Sequence, residues 1–72
     1  MTKLHYEIKE YAYGENLGEG LWLFLNGGFC RGWTKASIEK YNLDPVALRE
    51  AFRNEVKFFG GTLTDVETDV FL

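Results

Sequence analysis

Apolar positions recur at helical spacing in one stretch of the chain, residues 44–59, DPVALREAFRNEVKFF. Asp44 is expected to cap the first turn with its carboxylate, and Pro45 to occupy the first helical position, where no N–H is needed. Gly60 and Gly61 are expected to end the helix, because glycine adopts the left-handed conformation readily. At about 100° per residue, one arc of this helix is apolar and another is basic. The apolar arc holds Leu48, Ala51, Phe52, Val56 and Phe59, and the basic arc holds Arg49, Arg53 and Lys57.

A second, shorter helix is predicted over residues 34–41, TKASIEKY. Thr34 is the expected N-cap, and Trp33 before it can pack on Ile38 in a hydrophobic staple. Leu43 and Leu48 can form the same hydrophobic staple at the start of the longer helix, ten residues later. Asn42 lies between the two helices and tolerates the left-handed conformation that ends the first. Two short helices are therefore expected to meet at a defined angle.

Four other stretches have the length and the apolar pattern of strands. They span residues 4–13, 21–25, 29–33 and 62–72. The two central stretches are joined by Asn26-Gly27-Gly28, and Asn-Gly is the strongest short signal for a β-hairpin. The glycine-rich residues 14–20 predict a loop. The elements predict one compact α+β domain over residues 1–72: an antiparallel sheet of about four strands, in the order β-β-β-α-α-β, with both helices on one face.

The strand over residues 21–25 is apolar on both of its faces. Trp22 and Phe24 would point to one side and three leucines to the other. Such a strand is either covered on both sides or presents its aromatic residues to a partner. The sequence leaves both alternatives open for Trp22 and Phe24.

Composition excludes some functions for this chain of 72 residues, which has one Cys and one His. It cannot form an internal disulfide or a zinc site built on several Cys and His ligands. We expect no cofactor and no metal, and a reducing, cytoplasmic location with no membrane span. Six Phe, four Tyr and two Trp are numerous for this length. They fill the core, serve as binding anchors, or do both.

The formal net charge is −3, and the charges are unevenly placed. The middle of the chain is mildly basic, whereas the last eleven residues contain only acidic charges, at Asp65, Glu67 and Asp69. This balance is not that of a strong nucleic-acid binder, and direct binding to nucleic acid is expected to be weak. Four roles are open for the acidic row: it mimics a phosphate backbone, pairs across strands with Lys3 and Lys9, binds a divalent cation weakly, or protects a sheet edge. The basic arc either docks on an acidic protein surface or nucleic acid, or is a solvated helix face.

Glu55 falls within the apolar arc of the longer helix. An unpaired carboxylate there would have a raised pKa and would be a conceivable catalytic acid. The alternatives are that it leans out to solvent, or that it pairs with Arg31 or with a tyrosine hydroxyl.

Residues 35–56, KASIEKYNLDPVALREAFRNEV, resemble a helix-turn-helix, the unit that places a second helix in the DNA major groove. Leu43 stands where the apolar residue of the turn belongs, but Ile38 stands where a small residue is usual. The resemblance implies a DNA-binding regulator and a reading surface on the second helix. That surface would contain Asp44, Pro45, Val46, Arg49, Glu50 and Arg53.

No arrangement of nucleophile, acid and base is recognisable in the sequence, so we expect no enzyme activity. In size, acidity, aromatic content and single-domain organisation, the chain resembles small phage-encoded inhibitors of host machinery, such as RNA polymerase inhibitors and anti-CRISPR proteins. No motif carries that resemblance. It implies a monomeric or homodimeric module that binds a larger protein or nucleoprotein complex and inhibits or modulates it. The candidate contact residues are Trp22, Phe24, Arg49, Arg53, Lys57, Asp65, Glu67 and Asp69.

Overall fold

A computed structural model of the chain describes residues 3–12 and 17–65. The elements are β1 (His5–Ala12), β2 (Gly18–Leu25), β3 (Gly28–Thr34), α1 (Lys35–Lys40), α2 (Pro45–Phe58) and β4 (Thr62–Asp65). The predicted α+β class and the order β-β-β-α-α-β are confirmed. One predicted boundary is wrong, because β2 begins at Gly18 and takes in the end of the predicted loop. The part of that loop at residues 14–16 and the part of the last predicted strand at residues 66–72 lie outside the described residues.

The four strands form one sheet in the order β3-β2-β1-β4. The β3-β2 and β2-β1 pairs are antiparallel as predicted, whereas β4 runs parallel to β1, so the sheet is mixed. The parallel pairing follows from where α2 ends. The chain leaves α2 beside the start of β1, where the Thr62 amide donates to the Leu4 carbonyl at 2.9 Å. From there β4 can only extend in the direction of β1.

Both helices pack on the same face of the sheet, as predicted. Ile38 of α1, together with Phe52 and Val56 of α2, contacts the apolar side chains that β1 and β2 present to that face. The Trp33 ring of β3 stacks on Phe52 with centroids 5.5 Å apart. The strand contribution to this core comes from Tyr6, Ile8, Leu21 and Leu23.

The ends of the helices are built as the sequence predicts. The Thr34 hydroxyl accepts from the Ser37 amide, and the Asp44 carboxylate accepts from the Val46 amide, each at 3.0 Å. Asn42 has a φ of 52° and ends α1 in the left-handed conformation. After α2, the Gly61 amide returns to the Val56 carbonyl at 3.0 Å, which completes a Schellman motif. These caps set both the length and the direction of the helices.

The β2–β3 turn is also as predicted, with φ values of 50° at Asn26 and 84° at Gly27. These positive values are those of a type I′ turn, which matches the twist of the flanking strands. Asn26 also ties the turn to the neighbouring strand. Its amide donates to the His5 carbonyl at 2.7 Å, and its side-chain oxygen accepts from the His5 amide at 3.0 Å.

The helix α2 is rotated about its axis relative to the predicted arcs. Arg49, which was expected on a solvated face, is buried, whereas Ala51 and Phe59, which were expected in the core, are exposed. Burying an alanine gains little, because it has only one methyl group to remove from water. The rotation therefore loses little hydrophobic stabilisation at Ala51, and it turns Arg49 towards the buried carboxylate of Glu10.

Candidate functional site

Arg49 lies between two carboxylates on the helix-covered face of the sheet. Its Nη1 donates to Asp65 Oδ1 at 2.6 Å, and its Nη2 donates to Glu10 Oε1. Arg49 is 5% exposed and Glu10 is 2% exposed. The other oxygen of Asp65 accepts from Arg53. The two arginines and two carboxylates form one network, which we call the Arg49 network: Glu10, Arg49, Arg53 and Asp65.

The two carboxylates of the Arg49 network follow the alternation of their strands, although the β1–β2 register shifts between Lys9 and Tyr11. Glu10 follows Tyr6 and Ile8 on alternate positions of β1, and these positions face the helices. Asp65 stands two residues after Leu63, which packs against the same core. The network therefore joins the centre of the sheet, its β4 edge and α2. A guanidinium can occupy this interior because two carboxylates offset the cost of its desolvation.

Arg53 closes the outer side of the network and is about two-fifths exposed. Its slight burial lowers its pKa, but the hydrogen bond and the charge of Asp65, with a smaller contribution from Glu50, outweigh this and raise the pKa. A guanidinium whose pKa is raised stays charged at every accessible pH. Arg53 therefore does not act as an acid or a base, and the ion pairs of the network link three elements: β1, α2 and β4.

The inward position of Arg49 and Asp65 corrects their assignment to a partner-binding surface. Both side chains are directed at each other rather than at solvent, so neither presents a free charge to another protein. The same burial removes Arg49 from any DNA-reading surface, because a side chain held against the sheet cannot reach a base edge. Of the predicted basic arc, Lys57 is exposed and Arg53 is partly so.

Trp22 and Phe24 are also buried, which decides the alternative that the sequence left open. They lie on the face of the sheet opposite the helices. The Trp22 indole donates to the Gly18 carbonyl at 2.9 Å, and Phe29 meets both rings edge-on. Lys9 stands over the Phe24 ring at 4.6 Å from its centroid. Trp22 and Phe24 thus form a second, smaller core rather than an exposed docking surface.

Two glycines make room for the Trp22 ring. A Cβ at Gly20 would lie 2.6 Å from its Cζ2 atom, and a Cβ at Gly32 would lie 2.6 Å from its Cε3 atom. Real Cβ atoms do not approach other heavy atoms so closely. The indole can therefore pack against the sheet only if both positions are glycine.

The unusual Glu55 pairs with Arg31 at 2.9 Å, which confirms one of the alternatives for it. Arg31 also lies over the Phe52 ring, 5.8 Å from its centroid. This pairing accounts for the carboxylate within the apolar arc without a catalytic role. The predicted contact residues Glu67 and Asp69 lie outside the described residues.

Large apolar side chains are exposed where α2 ends. Phe58 is 82% exposed and Phe59 is 55% exposed, and their rings meet edge-to-face with centroids 5.1 Å apart. Leu4, beside the chain as it leaves α2, is also exposed. We call Leu4, Phe58 and Phe59 the end patch. Sequence reasoning missed it, although a signal was present: of two adjacent aromatic residues on a helix, only one can face the core.

Within residues 3–12 and 17–65, His, Cys, Asp and Glu side chains form no group of three that is placed to hold a metal ion. In the same residues, no buried side-chain nitrogen or oxygen lacks a hydrogen-bond partner. The helices of this part of the chain are too short and too polar to cross a membrane. Comparisons with protein-family models, with curated proteins and with solved structures find no match to this chain.

Proposed function

We propose that this chain is a non-enzymatic protein-binding module that inhibits or modulates a larger host protein complex acting on nucleic acid. The observation that carries the proposal is the exposed aromatic pair of the end patch. Phe58 and Phe59 are mostly exposed to water, so they forgo the hydrophobic stabilisation that burial of their rings would give. Aromatic residues, phenylalanine included, are enriched in protein interfaces relative to the rest of the surface.

The charge around the end patch suits a protein surface with acidic groups. Lys57 precedes the aromatic pair on α2, Lys3 precedes Leu4, and both lysines are exposed. An apolar centre with charged groups at its rim is the usual anatomy of a protein interface. The partner is therefore expected to offer an apolar pocket for the rings, with carboxylates beside it.

The chemistry of the described residues favours binding over catalysis. Their buried charges are arginines and carboxylates that neutralise one another in the Arg49 network, and Glu55 is paired with Arg31. A role for Glu67 and Asp69 as a second, phosphate-mimicking contact remains a prediction. The helix-turn-helix alternative is not favoured, because its central basic residue, Arg49, faces the sheet.

Affinity capture from a bacterial lysate, with and without nuclease, tests the proposal. The tagged chain is compared with a variant carrying Leu4→Ser and Phe59→Ser, and with Tyr41→Ser as a control. Tyr41 is 65% exposed and lies at the C-terminal end of α1, ahead of the start of α2. Circular dichroism establishes that all three proteins are folded.

We expect one large protein or complex to survive nuclease with the unmodified chain and with Tyr41→Ser, and to be lost with the end-patch variant. Capture of nucleic acid alone would overturn the proposal and favour direct DNA binding. Equal capture by the end-patch variant would place the contact elsewhere on the domain.

A further inference from the structure

The solvent side of α2 presents a second exposed surface, which shares Phe58 with the end patch. Its residues occupy one continuous arc of about 140° at 100° per residue. All of them are exposed, from the first turn of the helix to its last residue. They are Val46, Ala47, Glu50, Ala51, Asn54, Lys57 and Phe58.

Four of these residues form a row with the spacing of a helix-packing seam. Ala47, Ala51, Asn54 and Phe58 are separated by four, three and four residues. This is the interval at which one helix meets another in a coiled coil. The row is about 16 Å long at 1.5 Å per residue, so it extends along most of α2.

The row is complementary to itself when a second α2 lies antiparallel. Ala51 and Asn54 are equidistant from the midpoint between Phe52 and Arg53, and so are Ala47 and Phe58. A two-fold axis at that midpoint places each Phe58 ring over Ala47 of the other helix, and each Asn54 over the other Ala51. A large side chain then faces a small one at both ends of the pair, which is the condition for close packing.

The flanking charges favour the same arrangement. Glu50 and Lys57 lie on one side of the row, a full seven residues apart, and both are exposed. In an antiparallel pair, this side of one helix faces the same side of the other. Glu50 of each copy then faces Lys57 of the other copy, which gives two equivalent ion pairs. In a parallel pair, this side of one helix would instead face the opposite side of the other helix, so Glu50 and Lys57 of the two copies would not meet. Glu50 also contacts Arg53 on its own helix at 3.4 Å, an exposed contact that leaves its carboxylate accessible.

We infer that the occupant of this face is a second copy of the chain, bound antiparallel through α2 as a two-fold symmetric dimer. The inference rests on the proposed function, because Phe58 belongs to the end patch proposed there as a binding surface. It names a second copy of the chain as the partner of Phe58. Phe59 and Leu4 lie beyond the row and remain accessible in the dimer. The dimer would therefore offer a larger partner two copies of its remaining end-patch residues.

Sedimentation velocity over a range of concentrations tests the dimer, which has twice the 8.3 kDa mass of the chain. The unmodified protein is expected to shift from monomer to dimer as its concentration rises. Glu50→Lys or Lys57→Glu alone is expected to weaken the dimer about tenfold or more, because symmetry makes each reversal act at two pairs. Glu39→Lys and Lys40→Glu, exposed changes of the same charge on α1, are the matched controls and are expected to leave the dimer intact.

Restoration of the dimer identifies the antiparallel pairing. An equimolar mixture of the Glu50→Lys and Lys57→Glu proteins is expected to form a heterodimer, and the double variant E50K/K57E to regain the unmodified affinity. A monomer at every concentration, or single variants that dimerise as well as their controls, would overturn the inference. The capture experiment with Leu4→Ser and Phe59→Ser does not alter the row, so the two proposals can fail independently.

Discussion

Arg49 of α2 donates to Asp65 of β4 at 2.6 Å, and this contact joins the parallel edge of the sheet to the helix that covers it. A shift of β4 by one residue would turn Asp65 to the opposite face, away from both arginines. The contact therefore helps to specify the register of a strand that is only four residues long among the described residues. Buried ion pairs contribute little net stability, but breaking one by removing a single partner is costly.

The first prediction concerns the loss of Arg49. Arg49→Ala removes the cation from between Glu10 and Asp65 and is expected to lower the free energy of unfolding by about 3 kcal/mol. For a domain of this size, that loss corresponds to a fall in Tm of roughly 12–24 °C. Thermal denaturation followed by circular dichroism measures it.

Lys57→Ala is the matched control, because it removes an exposed cation from the same helix; both variants are measured at a concentration where the protein is monomeric. It is expected to change the free energy of unfolding by no more than about 0.5 kcal/mol. If both variants unfold at the same temperature, the Arg49 network does not hold α2 on the sheet.

The second prediction is that Glu10 and Arg49 are energetically coupled. A double-mutant cycle with Glu10→Gln and Arg49→Met is expected to give an interaction energy of about 1–3 kcal/mol, because the groups are in direct contact and buried. Urea denaturation of the four proteins provides the free energies. A cycle pairing Glu10→Gln with Lys57→Met serves as the reference and is expected to show additivity. An additive Glu10–Arg49 cycle would contradict the network.

The third prediction concerns the packing of the Trp22 indole beside Gly32. Gly32→Ala would bring a Cβ into overlap with the Leu21 carbonyl oxygen and within 2.6 Å of the indole, so both the strand backbone and the ring must shift. The expected cost is about 1–3 kcal/mol, with a red shift of tryptophan fluorescence in a Trp33→Phe background. Gly28→Ala is the control, because its Cβ would meet only the Leu25 carbonyl, at 3.6 Å. Equal stability and equal emission of the two variants would mean that the indole does not depend on the glycine.

The parts of the fold that depend on local chemistry could be predicted from the sequence. Caps at Thr34 and Asp44, the Asn26–Gly27 turn and the left-handed Asn42 each follow from one or two side chains and the backbone beside them. The element order follows from these signals together with hydrophobic periodicity. The pairing of Glu55 with Arg31 was one of a few possible answers to a single local conflict.

The interior charges could not be predicted in the same way. Glu10, Arg49 and Asp65 are far apart in the chain, and each alone is typical of a solvated face. Only the parallel placement of β4 beside β1 brings the two carboxylates to one point under α2. Sequence periodicity placed Ala51 inside and Arg49 outside, because it assigns charge to solvent and has no information about partners from other elements.

The last prediction separates binding from folding in α2. Phe52 and Phe58 lie on the same helix, but Phe52 is fully buried and Phe58 is 82% exposed. Phe52→Ala is expected to lower the free energy of unfolding by about 3–5 kcal/mol, because it leaves a cavity beneath Trp33. Phe58→Ser is expected to change it by less than about 0.5 kcal/mol, as an exposed substitution does, and to weaken dimerisation. Chemical denaturation of both variants at a concentration where the protein is monomeric makes the comparison. A large loss of stability in Phe58→Ser would mean that the aromatic pair serves the fold of the monomer, and its exposure would no longer argue for a binding surface.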